Sequence, residues 1–206
     1  MGRSEIRPTG GPGDGVSELD EDTVVARAQD GDVGAFEELV KRYENKLYRY
    51  AYGMLGNRQD AEDALQDTLI RAWRGLPDVA AAGAFSGWVY RIMTRRCLDV
   101  LARLQAQRTD AADPQQLPDT TPVHDSASPP TASDPATVTE ARQQMEELAA
   151  LVQRLPPGQR ACWLMHEIQH RPYREIAAAL SVPESTVRGR LAHARTRLSE
   201  GMTSWR

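Results

Sequence analysis

Apolar side chains recur at helical spacing in two separate stretches of the chain, and neither stretch shows the alternation that is typical of a β-strand. In the first stretch the pattern predicts four helices, which begin near Thr23, Val33, Asp60 and Phe85. The helix from Val33 carries a long apolar stripe and is predicted to end at positions 53–56, where two glycines occur. The pattern therefore predicts an all-α fold for this part of the chain.

The second stretch, near the C-terminus, contains two short helical patterns that meet at a tight turn. Ile176, Ala177 and Leu180 define the first helix, and Pro183 separates it from the next because proline cannot continue a helix but suits the first turn of a new one. In the following helix one apolar face must pack on the body of the domain. That face comprises Val187, Leu191, Ala194 and Leu198. This arrangement is typical of a helix-turn-helix.

The opposite face of that last helix is rich in arginine, whose planar fork of donors fits phosphate oxygens and the acceptor edge of guanine. The alternative is a solvated basic face on an ordinary helical hairpin, but the turn, the helix start and the one-sided arginines all favour a helix that enters the DNA major groove. Gly189 is explained either by close approach of DNA to the backbone or by helix packing. The predicted DNA contacts are Ser185, Thr186, Arg188, Arg190, His193 and Arg195.

Residues 104–138 separate the two helical stretches and hold six prolines among Asp, Ser, Thr and Ala. With almost no large apolar side chain, such a segment cannot bury enough surface to order itself, so it is predicted to be a disordered tether. The sequence therefore predicts two small helical domains joined by a disordered linker. The boundaries are a disordered tail at 1–22, a helical domain at 23–103, the linker at 104–138 and a second helical domain at 139–206.

The net charge of −4 looks unfavourable for a DNA-binding protein until it is divided along the chain. Residues 1–22 contain six acids and two bases, and residues 104–138 contain five acids and one base. The two predicted helical domains together are therefore mildly basic, while the tail and the linker are acidic. This asymmetry is compatible with a nucleic-acid partner.

Several classes of protein find no support in the sequence. Cys97 and Cys162 lie within apolar helical patterns, which favours buried reduced thiols over a disulfide or a redox switch. The four histidines are scattered along the chain, so no metal site is predicted. The sequence contains no nucleophile–base pair and no phosphate-binding glycine loop, so neither an enzyme nor a cofactor is predicted. No apolar run is long enough to span a membrane and the N-terminus is unlike a signal peptide, so a cytoplasmic protein without membrane insertion is expected.

Two features of the first domain have a functional and a structural explanation each. The carboxylates at the start of the third helix either complement the helix dipole or form a docking surface for a basic partner. The fourth helix combines arginines with Trp88 and Tyr90 beside a Gly/Pro/Ala-rich loop at 75–84. Such side chains fit an unstacked single strand of nucleic acid, but the aromatic residues also fit a plain core.

The residues that carry a family resemblance lie in both domains. They are the segment 60–73, the segment 85–92 with Asp99, the segment 155–160 and the Glu175-Ile176-Ala177 triplet. In order and spacing they closely resemble the extracytoplasmic-function (ECF) sigma factors of bacterial RNA polymerase. Only the N-terminal tail and the linker lie outside the resemblance.

The resemblance implies a role for each part of the chain. Residues 23–103 resemble sigma region two and residues 139–200 resemble region four, which reads the minus-35 element through the arginine-bearing helix. Implied contacts to the β′ clamp of core polymerase are Asp60, Glu62, Asp63, Gln66 and Asp67. Implied contacts to the minus-10 element are Trp88, Arg91, Arg95, Arg96 and Asp99, beside a loop that captures a flipped base. The implied partners are core RNA polymerase (β′ clamp and β subunit), promoter DNA and, as a family expectation, an anti-sigma factor.

One residue and two short segments depart from the family pattern. Arg95 stands where asparagine is common, and the segment 185–190 differs from the usual recognition-helix sequence, so promoter preference is expected to differ. Residues 170–172, His-Arg-Pro, replace a turn that typically contains glycine. The rival function is a self-sufficient helix-turn-helix regulator, which would bind a palindromic operator as a dimer without polymerase.

Overall fold

The computed structural model describes residues 20–110 and 135–202, with side chains for 20–107 and 144–202. Across these two ranges the regular structure is helical and no strand occurs, as the sequence predicts. The longer elements are α1 (Glu21–Gln29), α2 (Val33–Leu55), α3 (Arg58–Gly75), α4 (Phe85–Asp110), α5 (Pro135–Arg154), α6 (Pro157–Trp163), α7 (Tyr173–Leu180) and α8 (Glu184–Met202). Short 3-10 turns lie at Leu76–Asp78 and Ala82–Ala84, and a π-helical turn at Leu164–Ile168 continues α6.

The predicted disordered segments fall largely outside the described residues. Of the tail at 1–22, only residues 20–22 are described, and of the linker at 104–138 the central residues 111–134 are not. Helix α4 continues to Asp110 and α5 begins at Pro135, so helix extends into both ends of the predicted linker.

Local capping explains where the helices of the first domain begin and end. The Asp32 side chain accepts a hydrogen bond from the Ala35 amide (3.1 Å), which caps α2. The Asn57 side chain accepts a hydrogen bond from the Asp60 amide (3.1 Å), which caps α3. Helix α3 therefore begins at Arg58, two residues before the predicted start. Gly56 ends α2 with a left-handed φ of 70°. Helix α2 thus ends within the predicted range of positions 53–56.

Helices α1–α4 bury the apolar stripes that the sequence predicts. Tyr50 is fully buried on α2, and its hydroxyl pairs with the Thr94 hydroxyl of α4 at 2.9 Å. Thr94 in turn donates to the Tyr90 carbonyl (2.7 Å), so every polar atom of this buried contact has a partner. Tyr43 and Phe85 meet edge to face at 5.3 Å between ring centroids. The core of this domain lies between α2, α3 and α4.

The second domain contains the predicted helix-turn-helix. Ser181 ends α7 in a left-handed conformation with a φ of 54°, and the Val182 amide reaches back to the Ala177 carbonyl (3.0 Å). Pro183 then precedes α8, whose four predicted inward residues, Val187, Leu191, Ala194 and Leu198, are all buried. The predicted turn and the predicted inward face are both confirmed.

The two domains pack against each other and share one continuous apolar core, which the sequence did not predict. Helix α4 contacts α7, and α2 contacts α5 and the π-helical turn. Gly53 on α2 lies directly against Leu164, since a Cβ placed at Gly53 would be 2.8 Å from the Leu164 Cδ2. The Gln153 amide donates to the Gly53 carbonyl at 2.7 Å.

Two other sequence expectations can be compared with the structure. Cys97 and Cys162 are both buried free thiols, which confirms the favoured alternative over a disulfide. Burial raises the pKa of Cys97 to about 12. Among the helices of the described ranges, none combines the length and apolarity that a bilayer crossing needs.

Candidate nucleic-acid interface

The exposed face of α8 carries most of the predicted duplex contacts. Ser185, Arg188 and His193 are exposed and Thr186 is partly exposed. The Arg188 side chain is 63% exposed, and its only close acceptor in the described part of the chain is Glu184, at 3.4 Å one turn earlier. Such an exposed pair contributes little to stability, so the guanidinium can be transferred to another acceptor at low cost.

Arg190 and Arg195 flank this face and are engaged within the domain. The Arg190 guanidinium packs on Gly158 of α6, where a Cβ would be 3.1 Å from its Cζ. Arg195 pairs with Glu167 of the π-helical turn at 2.7 Å, and that hydrogen bond raises the pKa of Arg195. Arg195 therefore reaches DNA only if it exchanges Glu167 for a phosphate.

Gly189 lies at the centre of the exposed face, between the two flanks. A Cβ placed there would have no atom within 4 Å, so packing against the described residues does not require glycine at this position. Packing against the described residues therefore does not explain Gly189, and close approach of DNA to the backbone stays a prediction. Sequence reasoning omitted Arg197 from the contact set, although it is exposed near His193.

The residues of α3 that the sequence predicts as contacts lie on two sides of the helix. Glu62, Gln66, Ile70 and Trp73 follow one another at steps of four, four and three, so they share one face. Glu62 pairs with Arg58 at 2.8 Å, and Asp63 accepts from Gln59 at 3.2 Å. Asp67 lies towards α4, where it forms an ion pair with Arg96 at 2.8 Å, and Asp60 lies two turns earlier on α3.

An exposed apolar patch adjoins the acidic face of α3. Ile70 is 42% exposed and Trp73 is 38% exposed, and the Trp73 ring lies 4.9 Å from Phe36, between ring centroids. Val33 at the start of α2 is 57% exposed. Trp73 is thus not part of the buried core, whereas Phe85 at the start of α4 is buried. The face of α3 is therefore both acidic and apolar, which suits a protein partner.

The predicted single-strand contacts on α4 form a stripe. Trp88, Arg91, Arg95 and Asp99 follow at steps of three, four and four, with Arg95 and Asp99 exposed. The Trp88 ring lies against Gly75, where a Cβ would be 3.1 Å from its Cζ2. Arg96 is turned away from this stripe because it pairs with Asp67.

Tyr90, the second aromatic residue of α4 that the sequence singled out, points to the other side of the helix. It is 1% exposed and its hydroxyl donates to Gln169 of the second domain at 2.8 Å. In this arrangement Tyr90 is not available to stack on a base. No group of three or more His, Cys, Asp or Glu residues suited to a metal ion occurs in the described ranges.

Taken together, the helix-turn-helix with its exposed arginines, the basic stripe and the acidic-apolar face define a two-domain helical DNA-binding protein with a surface for a protein partner. Family models agree with this division. Residues 39–107 match the model of sigma-70 region 2, and residues 145–198 match that of sigma-70 region 4.

Relatives with curated names give the family. The chain is 35% identical over 173 residues to the ECF RNA polymerase sigma factor SigM of Mycobacterium tuberculosis, covering 82% of this chain and 78% of SigM. It is 34% identical over 166 residues to the ECF RNA polymerase sigma factor SigE of Mycolicibacterium smegmatis, covering 81% of this chain and 61% of SigE. The chain belongs to the ECF family of RNA polymerase sigma factors.

Solved structures share the fold. CnrH, solved in complex with the cytosolic domain of CnrY, has a TM-score of 0.66 at 24% identity, covering 90% of this chain and 99% of CnrH. The sigma factor RpoE of Bartonella quintana, solved in complex with the anti-sigma factor NepR, has a TM-score of 0.65 at 19% identity, covering 84% of this chain and 100% of that chain.

Proposed function

We propose that the chain binds core RNA polymerase and directs it to a set of promoters, where the two helical domains recognise separate elements and support strand opening. Membership of the ECF family supports this proposal. The single structural observation that carries it is the exposed, arginine-bearing face of α8 within a complete helix-turn-helix. The domains would act as region two (23–103) and region four (139–206), with the acidic segment 104–138 as their connection.

In this proposal α8 reads the minus-35 element as duplex DNA. Arg188 is the strongest candidate for a base contact, because its guanidinium is exposed, 3.4 Å from Glu184 and 5.9 Å from the centre of the Tyr173 ring. Gly189 next to it leaves room for the DNA backbone or a base edge to approach the helix. Arg190 and Arg195 would support binding from the flanks through phosphate contacts.

Transcription with purified core enzyme tests this role. Arg188→Ala should reduce initiation from a promoter with a minus-35 element by about 5- to 150-fold, because one good base contact is worth about 1–3 kcal/mol. Arg154→Ala is the matched control, since Arg154 is an exposed arginine at the end of α5 in the same domain. Full activity of Arg188→Ala would contradict the assignment of α8.

The acidic-apolar face of α3 is proposed to dock on the β′ clamp of core polymerase. Asp63 and Gln66 are exposed there, beside the partly exposed Ile70 and Trp73. Asp60 and Asp67 belong to the predicted set, but Asp67 would have to exchange Arg96 for a polymerase residue. Apolar area in the centre with charges around it is the usual composition of a protein interface.

A charge-reversal variant tests whether core polymerase binds this face of α3 specifically. Asp63→Arg should weaken binding to core polymerase by about tenfold or more, because it places a like charge opposite a basic partner. Asp30→Arg, an exposed carboxylate at the end of α1, controls for the change in net charge. The measurement is affinity for labelled core enzyme, and equal losses in both variants would contradict a specific α3 contact.

The stripe on α4 is proposed to hold the opened strand of the minus-10 element. Trp88 supplies an aromatic face, and Arg91 and Arg95 attract the phosphates, as in other proteins that bind single strands. The loop at residues 75–84, which leads into α4, would capture the flipped base. Extruding a base costs a few kcal/mol, which these contacts would offset.

The rival function, a regulator that acts without polymerase, predicts tight binding of the isolated chain to duplex operators. Gel shifts with and without core enzyme distinguish the two, since the proposal expects specific binding only with the enzyme. The proposed role needs no catalytic step in the chain, and a polymerase partner would place it in the cytoplasm. An anti-sigma protein is a further proposed partner, because the structural neighbour RpoE was solved with one.

A further inference from the structure

The side chain of Gln29, the last residue of α1, reaches the loop at residues 75–84. Its amide nitrogen Nε2 donates to the Leu76 carbonyl (3.2 Å) and to the Val79 carbonyl (2.8 Å), which lie 47 and 50 positions later in the chain. The Val79 amide itself donates to the Leu76 carbonyl at 3.1 Å and so closes a turn. Both protons of one side-chain amide are therefore used to hold this turn at the start of the loop.

Helix α1 follows the loop beyond this turn. It contacts both of the short 3-10 turns that the loop contains. A Cβ placed at Gly83 would be 3.7 Å from the Asp22 Oδ1, so the first turn of α1 lies beside the far end of the loop. The apolar side of α1 is buried in the core of the first domain, which fixes the helix in place. Helix α1 therefore forms a rigid support along the loop.

The two ends of the loop are anchored in the core, and its middle is exposed. Leu76 is fully buried, and Phe85, directly after the loop, is 2% exposed. The segment 80–84 between them consists of alanine and glycine only. Its exposed residues are Ala80, Ala81, Gly83 and Ala84. This part of the loop offers no polar or aromatic side chain to a ligand.

A base that enters the exposed part of the loop meets main-chain N–H and C=O groups. Bases differ in the positions of the donors and acceptors on their edges, so the main chain distinguishes them only if it is held in one conformation. Alanine and glycine side chains make no hydrogen bonds that could hold it. Among the described residues, the side-chain hydrogen bonds to the main chain of this loop both come from Gln29.

The loop begins beside the proposed single-strand surface of α4. The Trp88 ring lies against Gly75 at the first position of the loop, where a Cβ would be 3.1 Å from its Cζ2. Gln29 holds the next turn from the side of α1 and is itself partly buried. It therefore acts on a bound strand through the loop and not by touching the strand.

We propose that Gln29 is a positioning residue, which fixes the main chain of the loop at residues 75–84 so that its exposed segment recognises one flipped base of the minus-10 element through main-chain hydrogen bonds. This inference rests on the proposed function, in which the loop captures that base. It adds that the base preference depends on a side chain of α1 outside the loop.

Hydrogen exchange of the full-length chain, followed by mass spectrometry, tests whether Gln29 holds the loop. Gln29→Leu keeps a similar volume and removes both donors. The Val79 amide should then exchange about tenfold faster, because the turn that protects it loses two hydrogen bonds. Gln107→Leu, at an exposed position near the end of α4, is the matched control. Unchanged exchange of the loop in Gln29→Leu would overturn the proposal.

The kinetics of promoter opening test the positioning role in the holoenzyme. Gel shift at low temperature measures initial promoter binding, and fluorescence of 2-aminopurine in the minus-10 element measures strand opening. Gln29→Leu should slow opening by about tenfold and leave initial binding unchanged, because a base is captured only after the strands separate. A variant that merely folded less well would instead lower the amount of active holoenzyme, and the remainder would open at the wild-type rate.

Base substitutions in the promoter show whether the effect is specific. Each non-template base of the minus-10 element is replaced in turn, and a wrong base at a recognised position should slow opening by the wild-type chain about 5- to 150-fold. In Gln29→Leu this penalty should shrink about tenfold at the captured base and stay unchanged at the other positions. Gln29→Glu should behave alike, because a carboxylate has nearly the same shape and no amide protons.

The outcomes separate this inference from the proposed function. If the wild-type holoenzyme opens promoters and both Gln29 variants keep the full penalty at every position, Gln29 does not position the loop, and the proposed function is unaffected. If the wild-type chain and core enzyme open no promoter at all, the proposed function fails and the role of the loop fails with it.

Discussion

Arg160 offers the sharpest test of what holds the second domain together. It is 6% exposed, and its guanidinium donates to the carbonyls of Val152 and Leu155 (both 3.1 Å) and to the carbonyl of Gln153, all at the end of α5. It also donates to the Gln153 side chain (2.9 Å) and to the Met54 carbonyl at the end of α2. These are the carbonyls that a helix leaves without partners at its C-terminus.

The loss in free energy of unfolding that Arg160→Met should cause follows from the number of those acceptors. Methionine fills much of the volume but donates nothing, so four backbone carbonyls lose a partner. A buried acceptor without a partner costs about 1–3 kcal/mol, and water entering at the domain boundary recovers part of this. We expect a loss of about 3–5 kcal/mol, which is a large share of the 5–15 kcal/mol typical of a domain.

Urea unfolding followed by far-ultraviolet circular dichroism measures this loss. With a slope of about 1–3 kcal/mol per molar urea, the midpoint should fall by about 2 M. The urea midpoint of Arg160→Lys should fall less, because one ammonium group can reach some of the same carbonyls. Arg154→Met is the control, and an exposed substitution of this kind changes stability by about 0.5 kcal/mol or less.

A loss below about 1 kcal/mol in Arg160→Met would refute the reasoning. It would mean that water satisfies the helix ends as well as the guanidinium does. A loss of the same size in Arg154→Met would instead show that positive charge near the end of α5, and not the buried hydrogen bonds, is responsible.

Two further predictions concern the first domain. Burial raises the pKa of Cys97 from 9.0 to about 12, so above pH 9 the unfolded chain releases a proton that the folded chain keeps, and stability falls as pH rises from about 9 to 12. Buried Cys162 acts in the same direction, and Tyr43, with its pKa raised to about 12, adds to the decline above pH 10. Cys97→Ala should flatten the fall in urea midpoint between pH 9 and 10, and an unchanged slope would contradict this account. Gly56→Ala should cost about 1–2 kcal/mol, because a φ of 70° disfavours alanine and a Cβ would be 3.0 Å from Gln153 Cδ. Gly34→Ala, with a Cβ 3.4 Å from its nearest neighbour at the start of α2, is the control in the same unfolding assay.

Local features of the helix-turn-helix could be predicted because they depend on neighbours in the sequence. Pro183 cannot continue α7, and the spacing of Val187, Leu191, Ala194 and Leu198 places them on one face whatever that face packs against. The same reasoning predicted Arg188 as exposed and both cysteines as buried. Periodicity and proline geometry act within a few residues, so no tertiary information was needed.

The pairing of surface charges was beyond sequence reasoning. Asp67 and Arg96 were assigned to different partners, yet they form one ion pair between α3 and α4. Arg195 was predicted to face DNA, and it pairs with Glu167, 28 positions earlier. A helical wheel gives the direction of a side chain from its own axis but not which helix lies on that side.

The sequence by itself determined two all-helical domains, their order, and an arginine-bearing recognition helix, because hydrophobic periodicity and turn chemistry are local. The tertiary structure alone decided that the domains pack together, that Arg160 is buried as a shared cap for α2 and α5, and that Tyr90 faces Arg171 rather than solvent. The contacts of Tyr90 and Arg160 that cross between the domains join residues about 80 to 106 positions apart. Composition gave no sign of them, because a proline-rich connection is compatible with both separated and packed domains.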